Sequence, residues 1–236
     1  MRYTQKSSEV IRELNSSIEE GLNDAQILAS REKYGYNELA EEEHRSLLLR
    51  FFDQFKDVMI IMLIIAAVVS ILVEPGEWVD SLIIMVVVIF NAIIGLTQES
   101  KAEESLEALK QMSAPMAKVL RNNRRLNIPS REVVVGDIVY LEAGDFVPAD
   151  LRIIESHNLK IDESSLTGES NAVSKNEAVI DEKETALGDR INMAFASSLV
   201  TYGRGIGVVT DLGMETEVGK IADMLVTTKV ELTPLQ

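Results

Sequence analysis

Apolar positions recur at helical spacing at the start of the chain, at Val10, Ile11, Leu14 and Ile18, which predicts an amphipathic helix over 7–20. Ser7 or Ser8 can cap it and Gly21 can end it. A second helix follows from an Asn23 cap to Gly35, with Ile27, Leu28 and Tyr34 on its apolar face. Over residues 39–57, Leu47, Leu48, Leu49, Phe51, Phe52 and Phe55 stand among Arg45, Arg50 and Lys56, the pattern of a helix lying at a membrane interface. Val58 to Val73 then runs sixteen residues with Ser70 as its one polar side chain. At about 1.5 Å per residue that is roughly 24 Å, slightly less than a hydrocarbon core.

Glu74-Pro75-Gly76-Glu77-Trp78 reads as a turn, and a second apolar run covers Val79 to Gly95, interrupted by Asp80, Ser81 and Asn91. Two such runs joined by a short turn predict a transmembrane hairpin. Lys and Arg lie outside it, at Arg45, Arg50 and Lys56 before and Lys101 and Lys110 after, which puts both chain ends in the cytoplasm. Asp80 sits near the outer interface, and Asn91 is expected to bond a neighbouring helix. Ala102, Leu106 and Leu109 extend the helical period to Met112, with Glu107 and Lys110 three apart on the exposed side. Ser113-Ala114-Pro115 ends the element.

Beyond Pro115 the period changes to alternation. Ala117–Arg121 and Arg125–Ile128 flank the turn pair Asn122-Asn123, a hairpin signal. Ile138–Leu141, Leu151–Ile154 and Leu159–Ile161 read as short strands, and Ala194–Leu199 and Gly205–Thr210 as a pair around Tyr202-Gly203-Arg204. Gly213 opens a last helix to about Thr227. Short strands divided by Gly and Pro turns predict a β-rich sandwich or barrel-like domain.

Composition narrows the function classes. The 236 residues carry 23 Lys+Arg against 38 Asp+Glu, a net charge of −15, which opposes sequence-blind nucleic-acid binding. There is no cysteine, so disulfides and thiolate metal sites are excluded. His44 and His157 are isolated and read as surface residues, and the nine methionines as core and lipid-facing filler. The polar start from Met1 to Lys6 has no secretory signal pattern.

One stretch carries candidate chemistry: Thr167-Gly168-Glu169-Ser170, within Asp162–Ser170. A glycine free to take φ > 0 lets such a turn hold one carboxylate out on a stiff loop, where it can orient a water and take its proton. Gly136, Asp137, Pro148 and Asp150 read instead as setting turns and strand ends.

In this order the motifs resemble those of the type II P-type cation pumps, nearest the calcium-pump branch. Tyr34–Leu39, Asn91–Gly95 with Gln98-Glu99, Pro115–Val119, Val135–Val139, Gly144–Asp150, Asp162–Ser170 and Thr233–Gln236 carry the likeness, which covers almost the whole chain. It implies an α+β chain: N-terminal cytoplasmic helices over 1–45, a transmembrane hairpin with helical stalks over 46–112 (spans about 58–73 and 79–97), and a β-rich actuator domain over 113–236 with a C-terminal helix. The family phosphorylates an aspartate from ATP with Mg2+, then hydrolyses the aspartyl phosphate, coupling both steps to ion movement. By resemblance Glu169 orients and deprotonates the attacking water, Thr167 and Gly168 shape the turn, and Ser170 supports it.

The family's Asp-Lys-Thr-Gly-Thr phosphorylation motif and its nucleotide-binding domain are absent from this sequence. ATP and Mg2+ are therefore expected to bind other parts of a longer pump, and this polypeptide alone to be inactive. The implied partners are the lipid bilayer of the cell membrane, the remaining pump domains and a transported cation, with Ca2+ favoured. Sodium, potassium or proton pumping stays open within the class. The competing class is a membrane-anchored, non-enzymatic regulatory or scaffold protein.

Overall fold

The computed structural model describes residues 2–39, 46–73, 78–112, 115–182 and 184–227. His44, Arg45, the turn at 74–77, Ser113-Ala114 and Thr233–Gln236 lie outside them, as do the side chains of Trp78, Asp80, Glu107 and Lys110. The chain divides into two compact units, one of residues 1–40 with 114–236 and the other of residues 41–113.

The first unit begins with a turn of 3-10 helix at Arg2–Thr4, then α1 (Ser7–Glu13) and α2 (Asp24–Tyr34). Helix α1 is shorter than its hydrophobic period predicts, because the chain turns left-handed at Asn15 (φ +51°). Val10 and Ile11 still pack on Leu120, Ile138 and Val208 of the sheet. Helix α2 starts at the cap the sequence predicts: Asn23 Oδ1 accepts from the Gln26 N–H, and Gln26 Oε1 accepts from the Asn23 N–H, a reciprocal capping box. It ends at Gly35. Its expected apolar face is only partly covered: Ile27 is half-buried, while Leu28 keeps 66% of its surface exposed and Tyr34 is exposed.

The second unit is helical. Ser46 caps α3 (Leu47–Gln54), which is followed by α4 (Val58–Val73) and the 35-residue α5 (Trp78–Met112). Helix α5 runs antiparallel to α3 and α4. Arg50 bonds to Glu103, Gln54 Nε2 reaches Glu99 Oε2 at 3.0 Å, and Ser81 Oγ reaches the Ala67 carbonyl at 3.0 Å. Ser81 is thus a buried link between helices, whereas Asn91 is exposed on α5. The helix continues unbroken past the apolar run, as its period predicts. Over Ser81–Leu106 it is long and apolar enough to cross a membrane; α4 is a shorter apolar helix.

The rest of the first unit is built on one antiparallel sheet: β1 (Met116–Arg121), β2 (Arg124–Pro129), β3 (Ile138–Glu142), β4 (Asp150–Asp162), β5 (Val173–Ser174), β6 (Met193–Ala194) and β7 (Leu199–Asp211). The order is β2-β1-β3-β7-β4-β5, with β6 also on β4. The β1–β2 hairpin turns at Asn122-Asn123, both with positive φ (+48° and +58°), as the sequence predicts.

Two expectations are corrected here. Leu151–Ile154 and Leu159–Ile161 belong to one thirteen-residue strand, β4, and the segments on either side of Tyr202-Gly203-Arg204 are not a hairpin but a single strand, β7. The register between β4 and β7 shifts near Ile153–Glu155 and His157–Lys160. Asn158 (φ +53°) and Gly203 (φ +77°) are positions within these irregular, continuous strands. A Cβ on Gly203 would lie 2.3 Å from the Asn158 carbonyl oxygen, so only glycine allows this approach. Ala194 pairs with Leu151 in β6 and does not join β7. Inside the sheet Val119, Val139, Leu151, Ile153, Leu159 and Val209 share one core.

Buried polar side chains tie the N-terminal segment to this core. Arg152, fully buried, donates to the carbonyls of Gln5, Ile153, Glu177 and Asn192. Asn192 Nδ2 donates to the Tyr3 and Ala178 carbonyls. Asn37 donates to the Ser130 and Pro148 carbonyls and accepts from the Gly213 N–H. A one-turn 3-10 helix at Gly213–Glu215 then leads into α7 (Glu217–Thr227).

Candidate active-site loop

The candidate loop leaves β4 at Asp162. Asp162 Oδ1 accepts the Ser164 N–H at 2.9 Å, and the Ser164 side chain and N–H together hold its carboxyl below the usual carboxylate range. A single helical turn, α6 (Ser164–Thr167), follows. It forms because the Glu163 carbonyl accepts the Leu166 and Thr167 N–H groups, both at 2.9 Å. Gly168 closes the turn in the left-handed region (φ +76°) and donates its N–H to the Ser164 carbonyl at 2.9 Å. Nothing lies within 4 Å of where its Cβ would stand, so the demand for glycine there comes from the backbone alone.

Leu166 turns inward against Tyr3, Met193 and Phe195. Gly168, Glu169 and Ser170 face solvent. Thr167 joins the two sides: its Oγ1 donates to the Glu163 carbonyl at 3.1 Å and accepts the Glu169 N–H at 3.3 Å. Thr167, Gly168, Glu169 and Ser170 thus form the outer rim of one turn, with the carboxylate following the glycine and Leu166 as the root.

Two charged residues that the sequence reading passed over lie under this loop. Glu163 and Lys175 are both fully buried, with Nζ 2.6 Å from Oε1. Burial pushes the Glu163 carboxyl up and the Lys175 ammonium down, and each partner's charge opposes that shift. The Lys175 ammonium also lies 5.5 Å from the Phe195 ring centroid.

Of the residues read as structural, Asp137 and Asp150 are buried and fully engaged. Asp137 pairs with Arg121 at 2.9 and 2.6 Å. Asp150 accepts the Ala196 N–H on Oδ1 and the Glu217 N–H on Oδ2, both at 2.9 Å, and so anchors the start of α7. Burial is the main cause that pushes its carboxyl up to about 6, against the lowering effect of those two N–H groups.

Residues 111–226 match the P-type ATPase actuator domain, and residues 2–70 match the cation transporter/ATPase N-terminus. The chain belongs to the P-type ATPase family and carries its N-terminal and actuator regions. It is 50% identical over 234 residues to a calcium-transporting ATPase of Listeria monocytogenes and to one of Lactococcus lactis; each alignment covers 99% of this chain and 26% of the relative. A calcium-transporting ATPase of Bacillus subtilis is 44% identical over 229 residues, covering 97% of this chain and 26% of the relative. The chain therefore spans about a quarter of the length of the curated relatives it matches.

Proposed function

We propose that this chain is the actuator-bearing part of an ATP-driven calcium pump, and that Glu169 promotes hydrolysis of the pump's aspartyl-phosphate intermediate. The observation that carries this reading is the loop itself. A solvent-facing carboxylate follows a left-handed glycine on a turn whose root is packed into the core of an actuator domain. Glu169 orients a water in line with the phosphorus and takes its proton as the water attacks. Thr167 fixes the backbone at Glu169, Gly168 gives the turn its direction, and Ser170 supports the rim. The aspartate, ATP and Mg2+ belong to other parts of the pump, and none is assigned a ligand among these residues.

Calcium as cargo rests on the names of the relatives. In this reading α4 and α5 form a hairpin in the cell membrane with both chain ends in the cytoplasm. The charge asymmetry of Arg50, Lys56 and Lys101 supports that orientation. The division into cytoplasmic helices, membrane hairpin and actuator domain belongs to the same proposal. Rotation of the actuator domain passes to the membrane helices through its linkers.

Glu169→Gln in the intact pump tests the reading. Phosphoenzyme is expected to form from ATP at the normal rate and to decay about 100-fold or more slowly, the scale of a lost general base. Decay at the wild-type rate refutes the assigned role.

A further inference from the structure

The buried pair beneath the loop has no evident purpose as a stabiliser. Taking both charges out of water costs several kcal/mol per ion, roughly what their attraction returns, and an apolar pair of similar volume is often as stable. The pair does have a distinctive position. Glu163 directly follows β4 and Lys175 directly follows β5, so the two residues close the neck of the loop that carries Glu169. Strand β5 contributes only Val173 and Ser174, paired with Ile161 and Lys160. Backbone bonds carry the pairing one step further: the Lys175 N–H donates to the Leu159 carbonyl at 2.8 Å and the Ser156 hydroxyl to the Lys175 carbonyl at 2.7 Å, and a one-residue slip would break both.

The pair also connects to the rim. Lys175 holds the Glu163 side chain, while the Glu163 carbonyl receives the Leu166 N–H, the Thr167 N–H and the Thr167 hydroxyl. The Thr167 oxygen in turn accepts the Glu169 N–H. Three links therefore join the buried ammonium to the backbone of the residue at the tip.

We propose that Glu163 and Lys175 are positioning residues for Glu169: their side-chain contact joins the backbone bonds at Lys175 in holding β5 in one register on β4, and ties that register to the loop that presents the carboxylate. The role assigned to Glu169 is that of the preceding section; the register lock stands on geometry alone. A slip of one residue at β5 would lengthen or shorten the loop and turn Val173 and Ser174 to opposite faces.

The test replaces the pair with an apolar one, Glu163→Met with Lys175→Met, in the intact pump and in this chain. The melting temperature is expected to hold within a few degrees and phosphoenzyme formation to stay normal. Amide exchange at Leu166 and Thr167 is expected to quicken, and phosphoenzyme decay to slow about tenfold, as the tip loses its fixed place. Wild-type exchange and decay in the folded variant overturn the proposal. Should the Met pair fail to fold, Glu163→Gln keeps the side-chain shape and carries the same two readouts, with wild-type values again overturning it. Glu169→Gln measured alongside separates the two claims. If that variant decays normally, the hydrolytic reading fails, while the exchange data still judge the register lock.

Discussion

Two buried ion pairs lie in the same unit and are built differently. Arg121 meets Asp137 with two parallel bonds, donates also to the Glu132 carbonyl, and leaves Asp137 to accept the Val134 N–H. Lys175 meets Glu163 through one short contact. The first pair lies where the N-terminal segment joins the sheet, beside the bridge between Leu22 and Arg121. A guanidinium fork used on both prongs is a strong, directional junction. The second pair sits at the neck of a loop and is held by a single ammonium, a point charge without directional preference. Burial alone therefore does not give an ion pair its role; the number of satisfied bonds around it does.

The forked pair should respond most strongly to substitution. Arg121→Met strands a fully buried carboxylate and should cost about 3–5 kcal/mol of unfolding free energy, measured by denaturant titration. A loss as small as that of an exposed pair would erase the contrast with Glu163–Lys175.

Asp150 is the intermediate case, a buried carboxylate that accepts two N–H groups and lies near the acidic Asp211 and Glu217. Its carboxyl is raised from 3.8 to about 6, so the folded state binds the proton more tightly than the unfolded chain. Its contribution to stability is therefore fully present below about pH 4 and is lost as pH rises through about 6. The shift corresponds to about 3 kcal/mol. The stability of wild type relative to Asp150→Asn should fall by that order between pH 4 and pH 6.5, read from unfolding curves at each pH. A flat difference would show that the N–H groups offset burial completely.

The smallest effect is at the loop tip. Gly168→Ala meets no neighbouring atom and should cost about 1 kcal/mol for the left-handed backbone alone. A thermal-shift measurement checks the stability, and, under the proposed function, phosphoenzyme decay in the full-length protein reports whether the turn has moved Glu169. A larger loss of stability would mean that the loop is more tightly packed than its exposed rim suggests.

What was legible in the sequence was local. Asn122-Asn123 announces a hairpin because both residues tolerate positive φ, and Asn23 with Gln26 announces a helix start because the two side chains reach back to the backbone. Gly168 marks its turn for the same kind of reason. The strands around Asn158 and Gly203 misled because a bulge and a turn use the same residues, and only the partner strand distinguishes them. The pair of Glu163 and Lys175 was hidden because charged residues are ordinarily exposed, and their meeting depends on cross-strand register. A carboxylate directly before the turn and a lysine shortly after it were the available signal. Leu28 and Tyr34 show the reverse, an apolar spacing that the described residues leave uncovered.

The bonds that Arg152 and Asn192 make to Gln5 and Tyr3 also bear on how the chain is made. The Gln5 and Tyr3 carbonyls meet these donors only after residues 152 and 192 have been synthesised, with both apolar helices made in between. Residues 2–39 must therefore wait, with α1's apolar face unsatisfied, until the sheet exists to receive them. Closing contacts across so long a separation is slow, and during that interval the segment's unburied apolar surface is prone to aggregate.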